Sequence, residues 1–161
     1  MGRQLTHLDA RGAARMVDVA AKPVTARTAR ARANLRMTRA AAEALRAGTA
    51  KGDAIQVARL AGIQAAKRTA DWIPLCHPLP LDQVAISFTV NVPAGLVQIE
   101  STASATARTG VEMEALVAAS AAALALYDML KAVDRALVIS DIHLVEKRGG
   151  RSGHFRHPRA R

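Results

Sequence analysis

One apolar segment, Gly110–Arg135, carries charged side chains in positions where they could do chemistry. At about 100° per residue along a helix, Glu114, Asp128 and Lys131 fall in one sector roughly 100° wide. Glu112 lies about 200° from Glu114 and serves a different face. Asp128 and Lys131 also have the i,i+3 spacing of an ordinary surface pair. Because a helix this apolar offers little solvated surface, we favour a functional interpretation in which a ligand or partner compensates the charges.

A second candidate is Lys51, which precedes Gly52 and Asp53 at the predicted start of a helix. The free N–H groups and the dipole of a helix N-terminus favour an anion such as phosphate. The motif GTAKGD is not a phosphate-binding loop, since it lacks the Ser/Thr after Gly-Lys and the preceding glycine spacing. Taken alone, Lys51 fits a solvated loop lysine better.

Cys76 and His77 are adjacent in the proline-rich stretch WIPLCHPLPL, which predicts a stiff, ordered loop. Neighbouring side chains diverge in an extended loop, so the two are poorly placed to chelate one metal ion. His77 is a candidate general acid, general base or phosphate donor, because imidazole titrates near neutral pH. A loop histidine bonded to the backbone fits equally well. We interpret Cys76 as a small buried apolar side chain.

Two further cations lie near the ends of predicted strands. Arg27 falls on the apolar side of the alternating segment Val24–Met37, so it either binds an anion or lies at a strand bulge. Lys147 stands where the last predicted strand leaves the core. Gly149 and Gly150, which follow it, would let the backbone approach a phosphate closely.

The periodicity along the chain predicts the elements that position these residues. Val24–Met37 alternates and predicts a half-buried strand, and Arg39–Gly48 predicts a short helix that ends at glycine. The remaining predictions are a helix from Gly52 to Ala70, an antiparallel strand pair at 83–92 and 96–107, the helix from Gly110, and a strand at 136–147. This order predicts an α+β domain with an antiparallel sheet covered by helices on one face. We expect the outer apolar face of the Gly110 helix to contact another subunit.

Length and composition indicate one domain, 1–161, with an organised core at about 18–147 and a mobile basic tail at 148–161. The single cysteine excludes an internal disulfide framework and suits a reducing cytoplasm. We find neither a signal peptide nor an apolar run that is long and charge-free enough to span a bilayer. The net charge of +10 indicates an anionic partner or a solvated basic surface.

Six motifs together resemble the MoaC family of cyclic pyranopterin monophosphate synthases. They are MVDVAAK, KGDAIQVARLAGIQAAKRT, IPLCHPL, TGVEMEAL, YDMLKAVD and GGRSGHF, and the match runs in order from Leu5 to Phe155. The resemblance implies a lyase of molybdenum cofactor biosynthesis that converts 3',8-cyclo-7,8-dihydro-GTP to cyclic pyranopterin monophosphate and releases pyrophosphate. It also implies a ferredoxin-like fold assembled as a trimer of dimers, with active sites at subunit contacts.

The resemblance also implies roles for individual residues, and at these positions the chain does not depart from the family's pattern. Asp128 stands at the catalytic aspartate, and Lys51 and Lys131 are the other residues for which we expect a catalytic role. The implied substrate contacts are Leu75, Cys76, His77, Met113 and Glu114, and the family's other polar site positions are occupied by Arg27, Glu112 and Lys147. One cysteine and five scattered histidines give no coherent ligand set, so we expect no tightly bound metal or other cofactor. The sequence leaves open whether Mg²⁺ accompanies the triphosphate.

An alternative from another class is a basic RNA- or ribosome-associated domain without catalytic activity. Proteins that bind single strands usually stack bases on aromatic side chains, and this chain has only Trp72, Tyr127, Phe88 and Phe155. Binding to a duplex backbone needs no aromatics, so the alternative stays open at this stage. Our leading expectation is a cytoplasmic enzyme with a small-molecule substrate and no nucleic-acid or membrane partner.

Overall fold

The computed structural model describes residues 7–9, 11–49, 51–151 and 153–158. Nine elements follow in chain order: β1 (Thr25–Arg36), α1 (Arg39–Ala47), α2 (Ala54–Ala66), α3 (Thr69–Trp72), β2 (Gln83–Asn91), β3 (Leu96–Ala107), α4 (Glu112–Leu130), β4 (Val138–Arg148) and β5 (Phe155–Arg156).

The strands form one sheet in the order β2-β3-β1-β4-β5, and all neighbouring pairs are antiparallel. β1 lies at its centre, where Ala31 is opposite Ser101 of β3 and Leu144 of β4. The predicted α+β architecture with an antiparallel sheet is confirmed.

The alternation of β1 separates an apolar face from a polar one. Ala29, Ala31, Ala33 and Leu35 are almost completely buried beneath the helices. On the opposite face, Glu100 of β3 forms ion pairs with Arg30 and Arg32. The pattern predicted from Val24–Met37 is therefore confirmed, and the helices cover one face of the sheet.

Helix α4 packs on the sheet and against α2, which also contacts β2, and Gly62 of α2 allows the two helices to touch. A Cβ atom at Gly62 would lie 2.7 Å from the carbonyl oxygen of Ala118 and closer still to Cδ1 of Ile86. Helix α2 covers the side of α4 that carries Val117 and Ala121, whereas Leu116 and Ser120 on the outer side are only half-buried, so the expected contact of that outer face with another subunit stays a prediction. Leu60 and Leu124 remain exposed on this side.

Helix α1 is capped at both ends, and the glycine at its C-terminal end is the one that the sequence predicted. Thr38 accepts a hydrogen bond from the backbone N–H of Ala41, and Gly48 follows the helix with φ of 94°. Asp134, which follows α4 in the chain, also holds the start of α1, because its carboxylate accepts from the N–H of Thr38 at 2.7 Å and of Ala136 at 2.8 Å. These hydrogen bonds lower the pKa of Asp134.

Two predicted boundaries differ from the structure. The helix expected to reach Ala70 ends at Ala66, because a turn at Lys67 and Arg68 separates it from α3, and Thr69 donates its hydroxyl hydrogen to the carbonyl of Ala66. Part of the segment predicted as a mobile tail belongs to the sheet, since Phe155–Arg156 pairs with β4. Positions 152 and 159–161 of that predicted tail lie outside the described residues.

By length and composition, α4 is the one helix within the described residues that could cross a membrane. Sequence analysis found no such segment. Most of α4 is buried against the sheet and α2, so its apolar character is that of a core helix.

Candidate active site

Lys51, Asp128 and Lys131 form a cluster at the C-terminal end of α4. The Nζ of Lys131 lies 2.7 Å from Oδ1 of Asp128, and the Nζ of Lys51 lies 3.4 Å from Oδ2 and 3.0 Å from the carbonyl oxygen of the same residue. Hydrogen bonds and charge attraction, first from Lys131 and then from Lys51, lower the pKa of Asp128. Asp128 in turn raises the pKa of Lys131.

This cluster is more exposed than the sequence suggested. The side chains of Asp128, Lys131 and Lys51 are 58%, 53% and 45% exposed within one chain. The premise that Asp128 and Lys131 lie in dry surroundings is wrong for the isolated chain, because both lie on the outward side of α4, while Leu126 and Leu130 of the same turns are buried in the core. Lys51, however, comes from the start of α2, so the arrangement is more than a local i,i+3 pair.

Glu114 lies at the other end of α4 and is 4% exposed. Burial raises the pKa of its carboxyl group, and the charge of Glu112 raises it further. Glu114 and His77 line a cavity of about 310 Å³, and the end of α2 and the proline-rich loop form other parts of its wall. Two groups able to exchange protons with a ligand therefore meet in one cavity.

The loop residues beside this cavity have mixed roles. The Nε2 of His77 is 2.8 Å from the carbonyl oxygen of Val17, so the backbone-bonded alternative is realised while the ring still faces the cavity. Cys76 is half-buried rather than fully buried, and burial followed by the charge of Glu114 raises the pKa of its thiol. Leu75 and Met113 are also half-buried.

Arg27, Glu112 and Lys147 form a third group, near the N-terminal end of α4. The Nζ of Lys147 lies 2.7 Å from Oε1 of Glu112, and both residues line a cavity of about 50 Å³ together with Arg27. Arg27 donates from Nε to the carbonyl of Ala107 and from Nη2 to that of Arg108, each at 3.4 Å. The β1–β4 bulges lie instead between Arg30 and Ala31 and between Arg32 and Asn34, so the bulge interpretation of Arg27 is not supported.

The predicted site residues thus gather at the two ends of α4. At about 1.5 Å per residue, Glu114 and Asp128 are roughly 21 Å apart along the helix axis. One chain does not bring all of them to one place.

Sequence analysis missed two cations of the cavity that contains Glu114. Lys67 and Arg68 line it, although neither was among the predicted site residues. The sequence did offer a signal for their place in the cavity, because they lie only a few residues before the proline-rich loop that also lines it. Among the residues that the structure describes, no group of three or more His, Cys, Asp or Glu side chains could hold a metal ion.

Comparison with known proteins identifies the family. A model of the MoaC family matches residues 16–150. The chain belongs to the MoaC family. Curated MoaC relatives named cyclic pyranopterin monophosphate synthase match nearly the whole chain.

The relative from Herpetosiphon aurantiacus is 57% identical over 155 residues, which cover 96% of this chain and 94% of that protein. The relative from Parvibaculum lavamentivorans is 53% identical, with 96% and 97% covered. The relative from Thermomicrobium roseum is 55% identical, with 95% and 93% covered. The predicted MoaC membership is confirmed, and the RNA-binding alternative is not favoured.

Proposed function

We propose that this chain is a cyclic pyranopterin monophosphate synthase, a lyase of molybdenum cofactor biosynthesis. Its substrate is 3',8-cyclo-7,8-dihydro-GTP, and its products are cyclic pyranopterin monophosphate and pyrophosphate. The observation that carries the proposal is the near-complete match to relatives that bear this name at 53% to 57% identity.

The cluster of Lys51, Asp128 and Lys131 supplies the proton transfers of ring rearrangement. Opening the dihydropurine and closing the pterin ring move protons between nitrogen, carbon and oxygen atoms. In this cluster the carboxylate of Asp128 can accept a proton, and the ammonium group of either lysine can donate one. The cyclic phosphate forms when a ribose hydroxyl oxygen attacks the α-phosphorus and its proton passes to a base. The bond from that phosphorus to the bridging oxygen breaks, and its electron pair leaves with pyrophosphate.

The cavity beside Glu114 is suited to the heterocycle. A carboxyl group that is nearly buried can bind the N–H groups of a guanine-derived ring. His77 lies in the cavity wall with Glu114, Met113 precedes Glu114 in the chain, and Cys76 is close enough for the charge of Glu114 to raise the pKa of its thiol. Arg27 and Lys147 provide positive charge on the phosphate side. Glu112 orients Lys147 through their ion pair.

The separation of the two groups along α4 supports a site shared between subunits. Two α4 helices packed antiparallel about a two-fold axis would place Glu114 of one chain near Asp128 of the other, twice per dimer. The proposed assembly is a trimer of such dimers. The order β-α-β-β-α-β, with α1–α3 in the place of the first helix, supports the ferredoxin-like fold that we assign.

The remaining features of the proposal concern cofactors and location. The enzyme works in the cytoplasm on a small nucleotide-derived substrate, with no nucleic-acid or membrane partner. It holds no tightly bound metal, although Mg²⁺ can accompany the triphosphate. Metal analysis of active protein tests this point, and stoichiometric zinc or iron would contradict it.

The decisive experiment supplies the cyclised dihydro-GTP to purified protein and follows products by mass spectrometry. We expect cyclic pyranopterin monophosphate and one equivalent of pyrophosphate. An unchanged substrate, with RNA binding that weakens steeply as salt rises, would instead support the basic binding domain.

A further inference from the structure

Glu146 of β4 is a buried carboxylate on the polar face of the sheet, where it is 9% exposed. Its Oε1 accepts from Nη2 of Arg148 at 2.8 Å and from Nε2 of His154 at 2.6 Å, and its Oε2 lies 3.3 Å from Nη1 of Arg30. Hydrogen bonds from Arg148 and then from His154 lower the pKa of Glu146, so it is ionised at neutral pH. Arg30 and Arg148 belong to the long strands, whereas His154 joins a later segment to them.

His154 belongs to the segment that follows β4 in the chain. Its described residues are 149–151 and 153–156, and we call them the C-terminal strap. Within it, Phe155 and Arg156 pair with β4, and a strand of two residues has few main-chain hydrogen bonds. The ionised carboxylate can only accept, so Nε2 of His154 carries the hydrogen. This contact therefore adds a charge-assisted hydrogen bond to a short strand pairing.

The same strap lies against Arg27. Gly149 and Gly150 have φ of 96° and 72°, and a Cβ atom at Gly150 would overlap Nη1 of Arg27. A Cβ atom at Gly149 would overlap the carbonyl oxygen of Ala26. Only glycine lets the backbone lie this close. The two hydrogen bonds that Arg27 donates to main-chain carbonyls are long, at 3.4 Å each, so the strap limits where the guanidinium group can move.

The strap also borders Lys147, because Phe155 is opposite Lys147 in the sheet. Neighbouring residues of a strand point to opposite faces. Glu146 therefore lies on the polar face, while Lys147 reaches Glu112 of α4 on the helix face. The contact between Glu146 and His154 and the ion pair of Lys147 are on different sides of the sheet, and the strap connects them.

From these contacts we propose that Glu146 and His154 form a clasp that holds the strap in place, and that both are positioning residues for Arg27 and Lys147. The inference rests on the proposed function, in which Arg27 and Lys147 provide positive charge on the phosphate side. Neither clasp residue lines a cavity that contains a predicted site residue, so both act through the strap and do not touch the substrate.

The first test compares variants of the full-length protein with the cyclised dihydro-GTP as substrate. The side chain of His154 is 52% exposed, so His154→Ala should fold normally. Loss of one charge-assisted hydrogen bond should raise KM about 10-fold and leave kcat nearly unchanged. His154→Gln keeps an N–H donor and should recover most of the wild-type KM, whereas Glu146→Gln should resemble His154→Ala. Glu43→Gln makes the same chemical change in the exposed pair with Arg39 and is the matched control.

The second test follows the strap itself by limited digestion with trypsin. Arg151 is exposed, and efficient cleavage after it requires the strap to open locally. His154→Ala should speed this cleavage about 10-fold, measured by mass spectrometry, at an unchanged midpoint of thermal unfolding. His154→Gln should be cut at nearly the wild-type rate. A general loss of stability would instead lower the thermal midpoint.

The outcomes separate the clasp from the proposed function. Wild-type KM and cleavage rate in His154→Ala would overturn the clasp, and so would a His154→Gln variant that is as impaired as His154→Ala. Faster cleavage with an unchanged KM would overturn the positioning role. If the protein does not convert the cyclised nucleotide, the lyase assignment fails, and the cleavage rates of the two variants still decide whether the clasp holds the strap.

Discussion

Lys51 donates hydrogen bonds to both the main-chain carbonyl and the carboxylate of Asp128, although 77 positions separate them in sequence. The contact joins the start of α2 to the last turn of α4. It places an ammonium group beside a carboxylate that Lys131 already contacts from within its own helix.

The first prediction concerns this cluster. Asp128→Asn and Lys51→Ala should each fold and assemble normally yet lose at least about 100-fold in turnover, because the missing group transfers a proton. Turnover, size-exclusion chromatography and thermal unfolding together check this. Glu43→Gln, which disrupts only the exposed pair between Glu43 and Arg39, is the control. Loss of assembly in parallel with activity would assign the two residues a structural role instead.

The second prediction tests whether the site is shared between subunits. Inactive Glu114→Ala and Asp128→Ala chains, unfolded together and reassembled, should recover about a quarter of wild-type activity. Random pairing makes half of the dimers mixed, and each mixed dimer has one site with both lesions and one with neither. Each mutant refolded alone is the control. A mixture that stays inactive, with mixed dimers verified by mass, would place both residues in a site within one chain.

The third prediction concerns the pH dependence of stability at Asp134. Its pKa is lowered in the folded protein by hydrogen bonds from the N–H groups of Thr38 and Ala136. The stabilisation is therefore present above the ordinary value of 3.8 and is lost as pH falls through the lower folded pKa. Asp134→Asn should be less stable than wild type at neutral pH, and the difference should shrink under acid conditions.

Urea unfolding between about pH 3 and pH 7 measures that difference. Asp71→Asn makes the same chemical change at an exposed position and should show little difference from wild type at neutral pH. A gap between Asp134→Asn and wild type that stays constant with pH would show that the carboxylate charge does not contribute.

The fourth prediction concerns Gly62. Gly62→Ala gains up to about 1 kcal/mol in helix propensity but forces a methyl group against the carbonyl of Ala118 and the side chain of Ile86. Overpacking against backbone is the larger effect, so we expect a net loss of about 1 to 2 kcal/mol in unfolding free energy. Gln64→Ala, exposed on the same helix, is the control. Equal or higher stability of Gly62→Ala would mean that α2 moves away from α4 at little cost.

The sequence predicted the elements whose periodicity is local. The alternation in β1 and the long apolar run of α4 can be recognised from neighbouring residues, because one face of β1 and most of α4 are buried. The glycine after α1 is likewise a local signal for the end of a helix. The strand at Phe155–Arg156 was missed because two residues carry no period. Its pairing depends on β4, and His154 beside it contacts Glu146 at 2.6 Å.

The candidate site was predictable in residue type but not in arrangement. The resemblance to the MoaC family identified Arg27, Glu112 and Lys147, whereas the ion pair between Glu112 and Lys147 spans 35 positions and depends on the tertiary fold. The exposure of Asp128 could not be predicted from an apolar helix, since it depends on which side of α4 the sheet and α2 cover.

The contact at Gly62 lets two properties of α2 vary independently, namely its distance from α4 and the side chains that it presents to solvent. Because α2 touches α4 through backbone atoms, the spacing of the helices does not depend on the side chains that α2 presents to solvent. Val57 and Leu60 are exposed on α2, whereas Lys51 precedes the same helix. Evolution can therefore vary the outward side chains of α2, and with them the contacts between copies of the chain, while the ammonium group of Lys51 stays in reach of Asp128.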